Sequence, residues 1–125
     1  MLEDLAAPEG PPPLRLGILG GDLCLPFLTF VYGQAQLDGQ AAVISLYRLR
    51  GPGAGGDLLS RAAKVALHEV AHLLGLVHCL GPGCLMNFSP TLASLDGLDA
   101  NLCPACRETL QWQRLRLLAK AGPRA

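Results

Sequence analysis

Neither sign of charge dominates this chain: ten Lys and Arg balance ten Asp and Glu, and the formal net charge is zero. A neutral protein lacks the long-range field that gathers nucleic acid or an anionic membrane surface, so neither is expected as a partner. No run approaches the ~20 consecutive apolar residues that span a bilayer. The opening MLEDLAAPEGPPP has neither the basic start nor the apolar core of a secretory signal, and the expected compartment is the cytoplasm. The loop Gly51 to Gly56 lacks the Lys-Ser/Thr that would make it a phosphate cradle. There is no internal repeat.

What is present is enough for one domain. The chain has 125 residues, half of them apolar, and a chain of that size buries roughly two-thirds of its surface. Five cysteines in a cytoplasmic chain point to metal binding or reactivity rather than to disulfides. The number is odd, and Cys24 stands apart from the rest.

The pattern predicts an α+β order. Residues 1–13 read as a flexible Pro-rich leader, 14–120 as the domain and 121–125 as a tail. Leu14 to Leu19 reads as a strand closed by Gly20-Gly21. Phe27 to Gln34 and Ala41 to Leu49 read as a hairpin turned at Asp38-Gly39. Asp57 is placed to cap a helix from Leu58 to Leu74, which contains no Pro or Gly. Leu59, Ala62, Ala63, Ala66, Val70 and Leu74 recur at helical spacing and are expected to be its packed face. Gly75 is suited to end it. Residues 76–102 look irregular, and Cys103 to Lys120 reads as a last helix with Pro104 in its first turn.

His68-Glu69-Val70-Ala71-His72 places two imidazoles four residues apart on one helical face, so both can reach one ion. Glu69 is rotated away from the ion and can reach a water beside it. The pattern continues as HExxHxxGxxH: Gly75 lets the chain turn off the helix, and His78 can swing back. Three His ligands leave one zinc position open, the arrangement of a catalytic site. The bland alternative is an Ala/Leu-rich core helix with incidental histidines, although all three histidines of the chain lie in this pattern.

Cys79 and Cys84 form one pair around the turn Gly81-Pro82-Gly83, and Cys103 and Cys106 form a CxxC pair. Two such pairs suit one tetrahedral thiolate zinc. Reduced buried pairs, or a redox-active CxxC, are the alternatives. Adjacent side chains in an extended segment point to opposite sides, so His78 and Cys79 can serve two different ions.

With both patterns in hand, HEVAHLLGLVHCLGPGCLM followed by sixteen residues and CPAC resembles the archaemetzincins, a branch of the metzincin clan of zinc metalloproteases. The likeness extends upstream through DLCLPFLTFVYGQAQLDGQAAVISLYRLR and covers roughly residues 14–118. It implies a small metzincin-like α+β domain. A short twisted mixed sheet would pack on the HExxH helix, with the last helix tied down by the cysteine site. Family members carry another strand and helix before the region that begins here near Leu14, so a sheet shortened at its N-terminal side is expected.

The resemblance also implies two zinc ions per chain. One, catalytic, would be held by His68, His72 and His78, and one, structural, by Cys79, Cys84, Cys103 and Cys106. Glu69 would be the general base and Met86 the Met-turn residue, where spacing alone reads ordinary core. Cys24 stands where the family often has a bulky residue and is expected to pack as a small core side chain. The implied substrate is a peptide or protein lying along an edge strand, for which Ala41 to Leu49 is the candidate. The expected state is a monomer, with a partner at an exposed sheet edge as the alternative.

Two other functions compete. One is a zinc-binding domain with little or no proteolysis, serving as an interaction module or a very restricted peptidase. The other makes a nucleic-acid module of the last helix, with Arg107, Arg114, Arg116 and Lys120. The neutral net charge favours reading that helix as a solvated face.

Overall fold

The computed structural model describes residues 13–26, 30–51 and 57–121. The expected leader up to residue 12, Phe27 to Thr29 of the first hairpin strand, the glycine loop from 52 to 56 and the tail from 122 lie outside the described residues.

Three strands form one mixed sheet: β1 (Arg15–Leu19), β2 (Gly33–Ala35) and β3 (Ala41–Ser45). Their order is β1-β3-β2, with β1 parallel and β2 antiparallel to β3. Helix α1 (Leu58–Leu73) packs across β3 and β2. A short helix α2 (Leu92–Asp96) and a long α3 (Pro104–Ala121) follow. The expected α+β architecture, a short mixed sheet on the HExxH helix, is the one observed. No described helix is long and apolar enough to cross a membrane.

The expected start and stop signals act as read. The Asp57 side chain accepts from the Ser60 amide at 2.7 Å, satisfying one of the free donors of the first turn. Gly75 takes φ +94°, and the Leu76 amide reaches back to the Ala71 carbonyl. The hairpin turn holds Asp38 at φ 53°, a conformation Asp tolerates better than most residues. The Asp38 amide donates to the His72 carbonyl, and Arg116 pairs with the Asp38 carboxylate at 2.8 Å. The hairpin tip, the end of α1 and α3 are thus tied together.

Four expectations need correction. The segment Ala41 to Leu49 is not an edge strand: β3 ends at Ser45 and lies between the other two, and Tyr47–Arg50 is a 3-10 turn. Among the described residues the edges are β1 and β2. The packed face of α1 is also rotated from the one expected, since Leu59 is 80% exposed while Arg61, Lys64, Val65 and Glu69 are buried. In a helix so rich in Ala and Leu several stripes look apolar, and the stripe that packs carries charges that no hydrophobic pattern reveals. Cys24 is exposed rather than packed in the core. Lastly, the irregular stretch contains α2, begun by a capping box of Thr91 and Ser94.

The buried charges are compensated. The Arg61 guanidinium donates to both Asp96 carboxylate oxygens at 2.8 Å and to the carbonyls of Leu49 and Gly51. The Lys64 ammonium donates to the carbonyls of Leu95 and Asp96. These bonds fasten α2 and the 3-10 turn to α1, which is how a buried charge becomes tolerable. Two apolar clusters complete the core. One joins Ile44, Leu49, Val65 and Leu95, and the other joins Ala71, Leu76, Cys84, Met86 and Cys106.

Candidate metal centres and active site

Helix α1 sets His68 and His72 one turn apart, and the turn at Gly75 returns His78 to them. One nitrogen from each of the three rings lies within 4.8 Å of the others. The Nδ1 atoms are committed elsewhere: His68 Nδ1 lies 2.9 Å from the Leu85 carbonyl and His72 Nδ1 2.7 Å from the Leu76 carbonyl. A carbonyl only accepts, so each Nδ1 carries the proton and each Nε2 of a neutral ring presents a lone pair.

Those two Nε2 atoms face each other at 3.0 Å. Facing lone pairs repel unless a cation lies between them. Burial, with smaller contributions from the neighbouring histidines, pushes His68 down to about 4, so at neutral pH that ring does not supply the proton. A zinc ion bound at about 2.0–2.1 Å holds tetrahedral nitrogens roughly 3.3 Å apart. The donor set therefore fits zinc.

Glu69 is buried and lies on the wall of a cavity of about 500 Å³ shared with the three histidines. Burial pushes its carboxyl up to about 7. Strand β2 runs along the same cavity. Its Gly33 is required by close approach: a Cβ there would stand 2.8 Å from Glu69 Cγ and Oε2 and 3.0 Å from Val65 Cγ1. The Ser45 amide bonds the Tyr32 carbonyl and the Gln36 amide bonds the Ala41 carbonyl. By antiparallel alternation, Gly33 and Ala35 then turn their own backbone groups away from β3, toward the cavity. Phe88 closes the far side, its ring 5.7 Å from that of His78.

The four cysteines converge on the opposite side of the same loop. One sulfur from each lies within 4.8 Å of the others. Cys79 and Cys103 Sγ are 3.7 Å apart, close to the ~3.8 Å edge of a zinc tetrahedron with 2.3 Å bonds. The chain is built to hold thiolates here. The amide of Gly81 donates to Cys79 Sγ, and the amides of Met86 and Cys103 donate to Cys84 Sγ. Gly81 has no room for a side chain without crowding, since a Cβ would lie 3.3 Å from Cys79 Sγ. The Cys106 amide in the first turn of α3, aided by hydrogen bonds from its sulfur neighbours, draws Cys103 down to about 7. Burial pushes Cys106 up.

The three histidines and the four cysteines singled out from sequence therefore fall into two groups. Met86 is fully buried in the cluster that holds Ala71, Cys84 and Cys106. Several residues that shape the site carried no signal. Gly33 makes room for Glu69. The Leu76 and Leu85 carbonyls set the His tautomers. Asn87 braces the loop by donating to the carbonyls of Cys79 and Gly81. Backbone carbonyls and a lone strand glycine leave no recognisable pattern in one sequence.

The family model described as Peptidase family M54 matches residues 14–112. The archaemetzincin of Methanopyrus kandleri is 39% identical over 112 residues, covering 89% of this chain and 63% of its own length. That of Methanocaldococcus jannaschii is 42% identical over 101 residues, covering 77% and 56%. The crystal structure of the Methanopyrus kandleri archaemetzincin superposes with a TM-score of 0.77 at 38% identity, covering 92% of this chain and 63% of that one. The chain thus spans less than two-thirds of the length of these relatives. Most of it, including both ligand clusters, lies in the matched region, and on that ground the chain belongs to peptidase family M54.

Proposed function

We propose that this protein is a zinc-dependent metallopeptidase with two zinc ions per chain. His68, His72 and His78 would hold the catalytic ion, and Cys79, Cys84, Cys103 and Cys106 the structural one. The observation that carries the reading is the convergence of three imidazole nitrogens beside a buried glutamate in one open cavity. A zinc ion at the histidines supplies Lewis acidity and lowers the pKa of water to about 7.

The chain's own groups supply the rest. The peptide lies antiparallel along β2 and exchanges hydrogen bonds with the outward amides and carbonyls of Gly33 and Ala35. That aims its scissile carbonyl at the His cluster. Glu69, with a carboxyl poised near neutrality, takes a proton from the attacking water and delivers it to the departing amine. Gly33 leaves room for Glu69, since a Cβ there would stand 2.8 Å from the Glu69 Cγ and Oε2. Met86 provides a rigid apolar floor behind Ala71 and the loop of His78. Arg107 and Arg114 form a solvated face of α3, and Arg116 is engaged by Asp38.

The test is hydrolysis of a peptide library by purified zinc-loaded protein, with Glu69→Gln alongside. Cleavage by the wild type, and a loss of roughly 10²–10⁴-fold in the variant, is the expected result for a general base. Zinc content should be unchanged.

A second reading, a zinc-binding domain with little proteolysis, is favoured by the thin sheet, whose strand β1 is exposed along its whole length. It predicts no cleavage and no difference between wild type and Glu69→Gln.

A further inference from the structure

One buried charge on the cavity wall has no part in the hydrolysis. Apart from the histidines and Tyr32, the ionisable side chains that line the cavity are Glu69 and Lys64. Glu69 serves the attacking water. Lys64 is 8% exposed, and its ammonium donates to the Leu95 and Asp96 carbonyls at 3.3 and 3.2 Å. Both are long bonds to neutral groups, and an ammonium has three protons to place. The Asp96 carboxylate gives its two oxygens to Arg61. Two buried cations thus share one buried anion, and among the described residues no carboxylate pairs with Lys64. A charge withdrawn from water is costly until an opposite charge meets it. The cavity beside Lys64 is a route by which that charge can arrive.

Chain direction decides which part of a substrate reaches Lys64. A Cβ on Gly33 of β2 would meet Val65 and Glu69, and farther along the chain the Asp38 amide bonds the His72 carbonyl. Strand β2 and helix α1 therefore run the same way past each other. A peptide antiparallel to β2 runs oppositely, from the His72 end of α1 toward the Lys64 end. The residues that follow the scissile bond then head for Lys64. Lys64 lies one helical turn before His68, about 6 Å along the axis, within reach of the first side chain on that side. Val65, Leu95 and Leu98 line the same cavity and suit the two methylenes of a glutamate.

We propose that Lys64 selects substrates with an acidic side chain, glutamate above all, immediately after the scissile bond. The carboxylate enters at the Lys64 end of the cavity and accepts the third ammonium proton in a charge-assisted hydrogen bond. The proposal rests on the peptidase reading, with the substrate along β2. Lys64 meets the substrate away from the reacting atoms, so it governs which peptide binds.

The test uses the zinc-loaded full chain and peptides with blocked termini that differ only after the scissile bond, with Glu, Asp, Gln, Leu or Lys there. Glutamate should exceed its neutral isostere glutamine by roughly tenfold or more in kcat/KM, mainly through KM, and lysine should be the poorest. Lys64→Met should bring the Glu-to-Gln ratio to about one. Lys64→Gln, whose amide can still donate to the α2 carbonyls, should do the same if Lys64→Met does not fold. A lysine that merely fastens α2 would lower the Tm of these variants and leave the ratio unchanged. Equal cleavage of the Glu and Gln peptides by the wild type, or a preference that both variants retain, overturns the proposal. Binding separates this outcome from a failure of the peptidase reading. Calorimetry with zinc-loaded Glu69→Gln should show the same roughly tenfold gap in Kd between the Glu and Gln peptides. A gap that depends on Lys64, without any cleavage by the wild type, overturns the peptidase reading and upholds the selectivity. Cleavage without a gap does the reverse, and neither cleavage nor binding overturns both.

Discussion

His78 and Cys79 are neighbours in the chain, yet His78 is exposed at the cavity and Cys79 packs against a buried core cluster. The His cluster stands on a helix that is already held by the sheet, α2 and the Arg61–Asp96 pair. The Cys cluster has less regular structure around it, because the loop from Leu76 to Cys103 contains only the five residues of α2 as helix. Its sulfurs are the points at which α3 and that loop are joined. An open site on a finished scaffold can be emptied cheaply, whereas a closed site that is itself the scaffold cannot.

The largest effect should therefore come from Cys84→Ser. Structural zinc contributes folding free energy directly, and the loss is expected to be on the order of 5 kcal/mol or more. That is a large part of the ~5–15 kcal/mol that holds a domain together. Urea unfolding and zinc content measure it, and a variant that keeps both ions and its midpoint would erase the distinction between the sites.

Asp96→Asn comes next, since it strips the buried Arg61 of its counter-charge. A fall in Tm on the order of 10 °C at neutral pH is expected. The Arg61 guanidinium holds Asp96 below the ordinary aspartate value of 3.8. The pair's contribution is then present above that value and is lost as the pH falls through the lower, folded one. The variant should show a flatter acid limb than the wild type, and parallel limbs would argue against the pair.

Glu69→Gln should act in the other direction. With the folded carboxyl near 7 and the ordinary value at 4.5, its contribution to stability is full below about 4.5 and is lost as pH rises through about 7. In metal-free protein the variant should be the more stable at pH 8, by roughly 2–3 kcal/mol. Equal stabilities there would mean that the carboxylate is better solvated than the geometry implies.

The smallest effect on folding is expected for His72→Ala. It should lower zinc content by one ion and leave the unfolding midpoint of metal-free protein within about 1 kcal/mol. Losing both ions together would show that the two centres are one cooperative unit.

Much of the fold was legible because local chemistry set it. Asp57 and Gly75 mark the ends of α1, Asp38-Gly39 marks the hairpin turn, and Pro104 opens α3. The rotation of α1 was not, because Arg61 and Lys64 are buried by partners 10 to 35 residues away. Cys24 misled because a cysteine's size suits a core, whereas here it pairs through its backbone with Phe30 and is exposed.

Sequence by itself determined which side chains meet, since helical periodicity and the two tight turns leave His68, His72 and His78, and separately the four cysteines, little freedom to do otherwise. Tertiary structure alone decided which strand borders the site and which lies between the other two. Strand order depends on pairings between segments remote in the chain, and those pairings placed β3 between β1 and β2, and β2 against Glu69.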